Sequence, residues 1–505
     1  MFCEECGAKL ESGMRFCENC GTPVPGDVNT DNLNRAEKTD NSNIANGVII
    51  TRVSVLAEQL CVSKDFVTKK IDEYIEARRA CGVNYVLCDV MHSDVNSVVS
   101  ELKKLTQSKK IKYVFILGNE YVINVAEWMN ESSDSDKTVT SALPYSTLNT
   151  SSPWDGHEYR FDSVLRVGRL PSYNGESAER FFAYFQNVKQ QIQTNSISSY
   201  GLSALVWKDE SDNEYSKISY EETRSAPSVT VQNVEQTLPD NANLLYFNLH
   251  GSNETKFWYG QDDDDYPEAF EPKNLEILEK GYFIGVEACY GGKFMGNLTE
   301  SDSIVIKAMQ SGSIALLGSS KIAYGTPNPP GSCADFVVGE FLYQLKNGET
   351  AGDSHVLGIK ALAEGSDEID DTEIKTVAEF SLFGDPSVSL CCSHGEKNMK
   401  AAFSKSVFSN SISEKTKFGH FVEIPDIRHP IKMSISQVSQ KIAEMINEQV
   451  YQKYSFMRGI SPETYKFAGK NLYQSVYKRK VGVHCKIVKV YFDSLGKIVK
   501  ELESK

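Results

Sequence analysis

The 505-residue sequence predicts an α/β protein: a mostly parallel sheet flanked by helices, with a small cysteine-rich unit before it and an α+β unit after it. Three observations carry this expectation. Short apolar runs alternate with amphipathic segments of roughly ten to fifteen residues, the pattern of βαβ units around a parallel sheet. The runs are apolar on both faces, as strands buried from both sides must be. The later runs each end in Gly, Ser, His or Cys, and open α/β sheets carry their working residues beyond the carboxyl ends of their strands.

Taken in order, residues 1–26 are dense in Cys and Gly, and 27–47 are almost all small, polar or charged, with too little apolar surface to repay ordering entropy. The first is read as a metal ribbon and the second as a flexible linker. From residue 48 the apolar content rises. Val67 to Arg79 reads as a helix with Ile71, Tyr74 and Ile75 on one face. VNYVLCDV (Val83 to Val90) reads as a strand, SDVNSVVSELKKL as a helix capped at Ser93, and KYVFILGN (Lys112 to Asn119) as the next strand. SVLRVGRLP (Ser163 to Pro171) and a helix from Glu176 to Gln191 close a first part, 48–195. A second part, 196–395, holds YGLSALVW, NLLYFNLHG, GYFIGVEACYGG and SGSIALLGSS. From 396 to 505 a helix around Ser436 to Tyr451, another near Thr464 to Tyr477 and a hairpin turning at Asp493 to Gly496 read as a small basic α+β domain.

With 40% hydrophobic and 24% charged residues the composition is that of a soluble globular chain, and no apolar run approaches the roughly 18 residues of a membrane span. The N-terminus has neither a basic start nor an apolar core, so no export signal is expected and a cytoplasmic location is. Twelve cysteines in so long a chain do not make a disulfide scaffold. The net charge of -15 is uneven: residues 396–505 carry about 20 Lys or Arg against about 10 acids. A basic tail on an acidic body points to internal docking, to an acidic partner, or to a solvated basic surface.

Two strand ends carry the chemistry. LLYFNLHG delivers His250 followed by Gly251, and GVEACYGG delivers Cys289. A cysteine peptidase needs a thiol convertible to thiolate, an imidazole to shuttle its proton, and amide donors for the oxyanion. Consecutive strands of a parallel sheet usually lie side by side, which would bring both groups to one rim. The plain alternative is a core histidine and a packed thiol. Glu287, two residues before the thiol, either lines a pocket for Arg or Lys or pairs with a base inside the protein. The acidic run GQDDDDYPEAF could face a basic substrate, bind calcium, or be a solvated loop.

Strand-His-Gly followed by strand-Ala-Cys-x-Gly resembles the caspase-like cysteine peptidases of clan CD, and the gingipain family most closely. YVFILGN, VGRLP, GSIALLGSS and SLFGDPSVSL match that family's segments in order across Tyr85 to Leu390. The resemblance implies a caspase/gingipain-like domain over 48–395, with Cys289 as nucleophile, His250 as general acid/base and the amides of Gly251 and Cys289 as oxyanion hole. It makes Asp162, two residues off the family position, the acid that orients the imidazole, and gives Glu287 a role in substrate binding. The implied activity is cleavage of proteins; with no export signal expected it would be intracellular, and a carboxylate at Glu287 would favour Arg or Lys before the cut. A catalytically silent scaffold using the two ends for protein interaction is the alternative.

Cys3 with Cys6 and Cys17 with Cys20 form two CxxC-Gly units, the donor set for one tetrahedral structural zinc per chain. They resemble the short zinc ribbons of bacterial proteins. So short a stretch has almost no core, so the metal would supply its folding free energy. Protein substrates and a protein partner for the ribbon or the basic domain are expected. A membrane is not, and the net charge disfavours nucleic acid.

Overall fold

Residues rich in Val, Ile, Leu, Phe and Tyr become strands wherever the sequence alternation places them. Along the chain, β1 (Gly47–Thr51), α1 (Val53–Gln59), α2 (Lys64–Arg79), β2 (Tyr85–Asp89), α3 (Val95–Ser108) and β3 (Tyr113–Leu117) come first. A hairpin, β4 (Ala126–Met129) and β5 (Thr138–Ser141), then α4 (Leu143–Thr147) and β6 (Arg166–Leu170), follow. Next are α5 (Ala178–Gln191), β7 (Ser199–Ala204), α6 (Lys208–Tyr215), β8 (Arg224–Ala226), β9 (Leu244–Asn248), a ribbon of β10 (Trp258–Tyr259) and β11 (Glu268–Phe270), and β12 (Tyr282–Val286). After them run α7 (Ile304–Ser311), β13 (Ser313–Ser319), β14 (Tyr324–Gly325), α8 (Ala334–Lys346), α9 (Ala351–Gly365), α10 (Asp371–Glu379) and β15 (Phe380–Gly384). The chain ends in β16 (Met433–Ile435), α11 (Gln440–Lys453), β17 (Glu463–Phe467), β18 (Leu472–Val481), β19 (His484–Asp493) and β20 (Ile498–Ser504). The computed structural model describes residues 45–155, 165–191, 197–365, 369–390 and 433–505, all within one compact unit, Ala45–Lys505. The ribbon cysteines Cys3, Cys6, Cys17 and Cys20, most of the 27–47 linker and Asp162 lie outside the described residues.

Ten strands make one sheet in the order β2-β1-β3-β6-β15-β13-β12-β9-β7-β8. Every neighbouring pair is parallel except β13 with β15. The sheet is therefore two five-stranded parallel halves that meet at one antiparallel seam. β1, β3, β9, β12 and β13 are buried along their whole length, which accounts for their unbroken apolar sequences. Helices α2, α5 and α7 contact one another and the sheet as one set; α6, α8 and α9 form another. This is the mostly parallel, helix-flanked α/β sheet expected from the sequence.

The capping chemistry is local and readable. Ser63 caps α2 by accepting from the Phe66 amide. Asp94 caps α3 by accepting from the Ser97 amide, one residue beyond the Ser93 expected from sequence.

The VGRLP and LFGDP segments meet in the first half of the sheet, where Arg169 of β6 pairs with Phe383 of β15. A Cβ at Gly168 would lie 2.2 Å from the Gly384 carbonyl oxygen, so only glycine fits. The buried Asp385 carboxylate accepts from Tyr74 Oη at 2.6 Å and Tyr85 Oη at 2.5 Å and lies 3.4 Å from Arg78 Nε. This acid ties the return strand to α2 and β2.

The last 73 residues form an antiparallel sheet in the order β14-β20-β19-β18-β17-β16, whose first strand comes from the preceding domain. The helix expected near Thr464 to Tyr477 is absent: that segment is β17 and β18, joined by a turn at Gly469 with φ +74°. Its Thr, Tyr, Phe and Val are strand formers, and pairing with the long β19 decides the matter. One face of this sheet packs Val488, Val490 and Phe492 against Ile446 and Val450 of α11. The other presents Ile487, Tyr491 and Leu502 to a cluster that contains Cys289.

Candidate active site

β9 and β12 are adjacent and parallel, with Phe247 opposite Val286. Their carboxyl ends therefore bring the segments carrying His250 and Cys289 to one rim of the sheet, as expected from sequence. The approach is close: a Cβ at Gly251 would stand 1.8 Å from the Cys289 carbonyl oxygen. Any side chain there would push the two strand ends apart. After Cys289 the chain turns sharply, with Tyr290 at φ +54° and its amide bonded to the Lys321 carbonyl at 2.7 Å. Neither the Gly251 nor the Cys289 amide donates to a backbone carbonyl among the described residues.

Both side chains are buried, His250 at 1% and Cys289 at 4% exposure. They have separate partners. The thiol donates to the Ala323 carbonyl oxygen at 3.6 Å. Burial pushes it far above the ordinary thiol range, and the Ala323 contact and Lys375 only partly offset that. His250 Nε2 lies 2.6 Å from Gln261 Oε1 and 3.3 Å from Lys486 Nζ, and its ring is 4.1 Å from that of Trp207. Burial, then Lys486 and His484, hold the imidazole well below its ordinary value. Burial thus favours the uncharged form of both groups.

Glu287 is fully buried. It accepts from Tyr246 Oη at 2.7 Å, and its Oε2 lies 3.6 Å from Lys505 Nζ. Burial first, then the neighbouring Asp335, raises its pKa well above the usual carboxylate range. Of the acidic run, Gln261 turns in to the imidazole while Asp262 to Asp265 make an exposed turn. Among the described residues no group of three or more His, Cys, Asp or Glu is arranged to hold a metal, so calcium finds no support.

Sequence reasoning missed Trp207, Gln261, Asp335, Lys486 and Lys505. Trp207 follows the end of β7 and could have been found by the strand-end rule. Gln261 lies in the acidic run already noted after His250, while Asp335, Lys486 and Lys505 arrive from remote segments without a local signal. The basic tail docks internally in part: Lys500 pairs with Glu373 at 2.7 Å, and Lys505 with Asp335 at 3.2 Å.

Among the described residues no helix is long and apolar enough to cross a membrane. No curated protein matches the chain. A solved chain described as "Structure of Protease" is similar at 12% identity and a TM-score of 0.48, covering 91% of each chain. Residues 2–24 match the model of a zinc-ribbon domain. Residues 42–391, which hold both halves of the sheet and the rim that carries His250 and Cys289, match the model of peptidase family C25, and the chain thus belongs to that family of cysteine-type peptidases, the gingipain family.

Proposed function

We propose that this chain is an intracellular cysteine endopeptidase that uses Cys289 and His250 to cut proteins after a basic residue. The observation that carries the reading is the contact between Gly251 and the Cys289 carbonyl at the ends of adjacent strands. A substrate carbonyl entering there would meet a thiol, an imidazole and two amides that donate to no backbone carbonyl among the described residues. His250 takes the thiol proton as sulfur bonds to the carbonyl carbon, and the Gly251 and Cys289 amides hold the oxyanion. The C–N bond then breaks, the imidazolium protonates the leaving amine, and water releases the acid from the thioester. Asp162 is the proposed orienting acid, and Glu287 the proposed counter-ion for Arg or Lys.

The intracellular setting is supported by the free thiols of Cys61, Cys81, Cys88, Cys289, Cys333 and Cys485. The zinc-ribbon match supports one structural zinc on Cys3, Cys6, Cys17 and Cys20, whose four thiolates suit a closed tetrahedral site without catalytic work. The ribbon or the C-terminal domain would serve a protein partner. The burial of both reacting groups favours a second reading, a silent scaffold. Incubating wild type and Cys289→Ala with peptides bearing Arg, Lys, Asp or Asn before the cut decides between them. Cleavage lost in the variant supports the peptidase. Equal cleavage by both proteins, or no cleavage together with no labelling by a thiol-reactive substrate probe, favours the scaffold.

A further inference from the structure

A lysine is almost never fully buried unless a partner meets its charge. Lys505 is buried, and its surroundings are those of a ligand in a pocket. Its Nζ lies 3.2 Å from Asp335 Oδ1, 3.6 Å from Glu287 Oε2 and 4.3 Å from the centre of the Trp207 ring. The two carboxylate oxygens make no hydrogen bond among the described residues. Glu210 adds a third carboxyl, which burial and then Asp335 raise to about 8. Three carboxyl groups thus stand around the one ammonium of Lys505. One wall is bare backbone: a Cβ at Gly325 would lie 2.2 Å from Lys505 Cε and 2.4 Å from Asp335 Oδ1.

The main chain behaves alike. β20 adds to β14 as an antiparallel strand, Ser504 opposite Tyr324 and Glu503 opposite Gly325, the way an extended peptide docks on an exposed strand. The Lys505 amide donates to the Ala323 carbonyl at 3.0 Å, the same oxygen that accepts from the Cys289 thiol. The residue whose side chain enters the acidic pocket is thus held by its backbone beside the nucleophile. On alternate sides of the strand, Leu502 packs in the Cys289 cluster and Glu503 accepts from Trp207 Nε1 at 3.2 Å.

Resting on the peptidase reading, we infer that residues Leu502–Lys505 fill the substrate cleft of their own chain, that the pocket seating Lys505 recognises the residue before the cut, and that Asp335 determines specificity there together with Glu287. The pocket takes lysine in preference to arginine. A compact ammonium fits between two carboxylates and the Trp207 face, whereas a planar guanidinium needs a wider fork and the space beside Gly325 is filled.

The full-length chain tests this. Iodoacetamide alkylation of Cys289, read by mass spectrometry, should accelerate at least about tenfold in Lys505→Ala and also in Gly325→Ala, because each unseats a buried ion pair. With Lys505→Ala as background, peptidyl-lysine should be cut faster than peptidyl-arginine, and Asp335→Asn should lower kcat/KM for the lysyl peptide about a hundredfold while sparing a norleucyl analogue. Unchanged alkylation in both single variants overturns the occupied cleft. An unchanged ratio of lysyl to norleucyl turnover in Asp335→Asn overturns the pocket assignment. Faster alkylation with no turnover of any peptide supports the occupancy and refutes the peptidase reading, so the two can fail separately.

Discussion

Lys375, fully buried on α10, is the cation on which one side of the candidate site is hung. Its Nζ lies 2.5 Å from Asp134, 2.8 Å from Asp136 and 3.6 Å from Glu379, and donates to the Ile322 carbonyl at 2.9 Å. Asp136 in turn accepts from Tyr290 Oη at 2.6 Å and the Ile322 amide at 2.9 Å, fixing the residues on either side of the Cys289 thiol. Replacing Lys375 by Met keeps the volume and leaves Asp134, Asp136 and Glu379 without the cation that all three face. Breaking such a buried pair costs about 3–5 kcal/mol. Urea unfolding followed by tryptophan fluorescence, with Trp207 as reporter, measures the loss. The loss should also depend on pH with a fixed sign. Burial alone would raise the Asp134 pKa; Lys375 and Lys489 override it and hold the group at about 2, below its ordinary 3.8. Its stabilisation is therefore present above 3.8 and is lost as the pH falls towards 2, so the deficit of Lys375→Met should shrink over that window. Removing the acids as well, in Lys375→Met with Asp134→Asn and Asp136→Asn, should recover most of the loss. A deficit below about 1 kcal/mol, the worth of an exposed pair, or one that does not change between pH 5 and 2, refutes the reasoning.

Gly251→Ala should cut peptidase activity at least about a hundredfold, since its methyl must displace the Cys289 peptide and with it an oxyanion donor; near-normal kcat would show that the contact is not needed. His484, held down to about 4 by burial and Lys486, stays neutral in the folded chain. A depressed imidazole favours the unfolded state once protons are available, so wild type should lose stability relative to His484→Gln as the pH falls from 6.5 towards 4. Parallel melting curves of the two proteins would contradict this. Chelation should release about one zinc per chain and leave peptide hydrolysis intact. Activity lost together with the metal would mean that ribbon and peptidase are not separable.

The sheet and its rim were legible because both follow from local pattern plus the side-by-side rule for parallel strands. Runs such as Tyr113–Leu117 and Tyr282–Val286 are apolar without interruption, and His250-Gly251 and Cys289 stand where such runs stop. The β17–β18 hairpin was not legible, because Tyr465, Tyr473 and Tyr477 are spaced acceptably for a helix as well and only the distant β19 selects strand. Asp335 carried no signal either. It opens α8, far along the chain from Glu287, and only the folded backbone at Gly325 brings the two acids to one ammonium. Glu287 left two readings open, a pocket for a basic residue and an internal ion pair, and the base it meets is Lys505 of the same chain.

The antiparallel seam between β13 and β15 bears on how this molecule would tolerate a nick. β15 is buried inside the first half of the sheet, between β6 and β13, yet it is made by residues that follow the entire second half. A backbone break between β6 and β7 would therefore yield two fragments that interlock rather than separate. Cleaved chains should co-elute at the size of the intact protein and come apart only in denaturant.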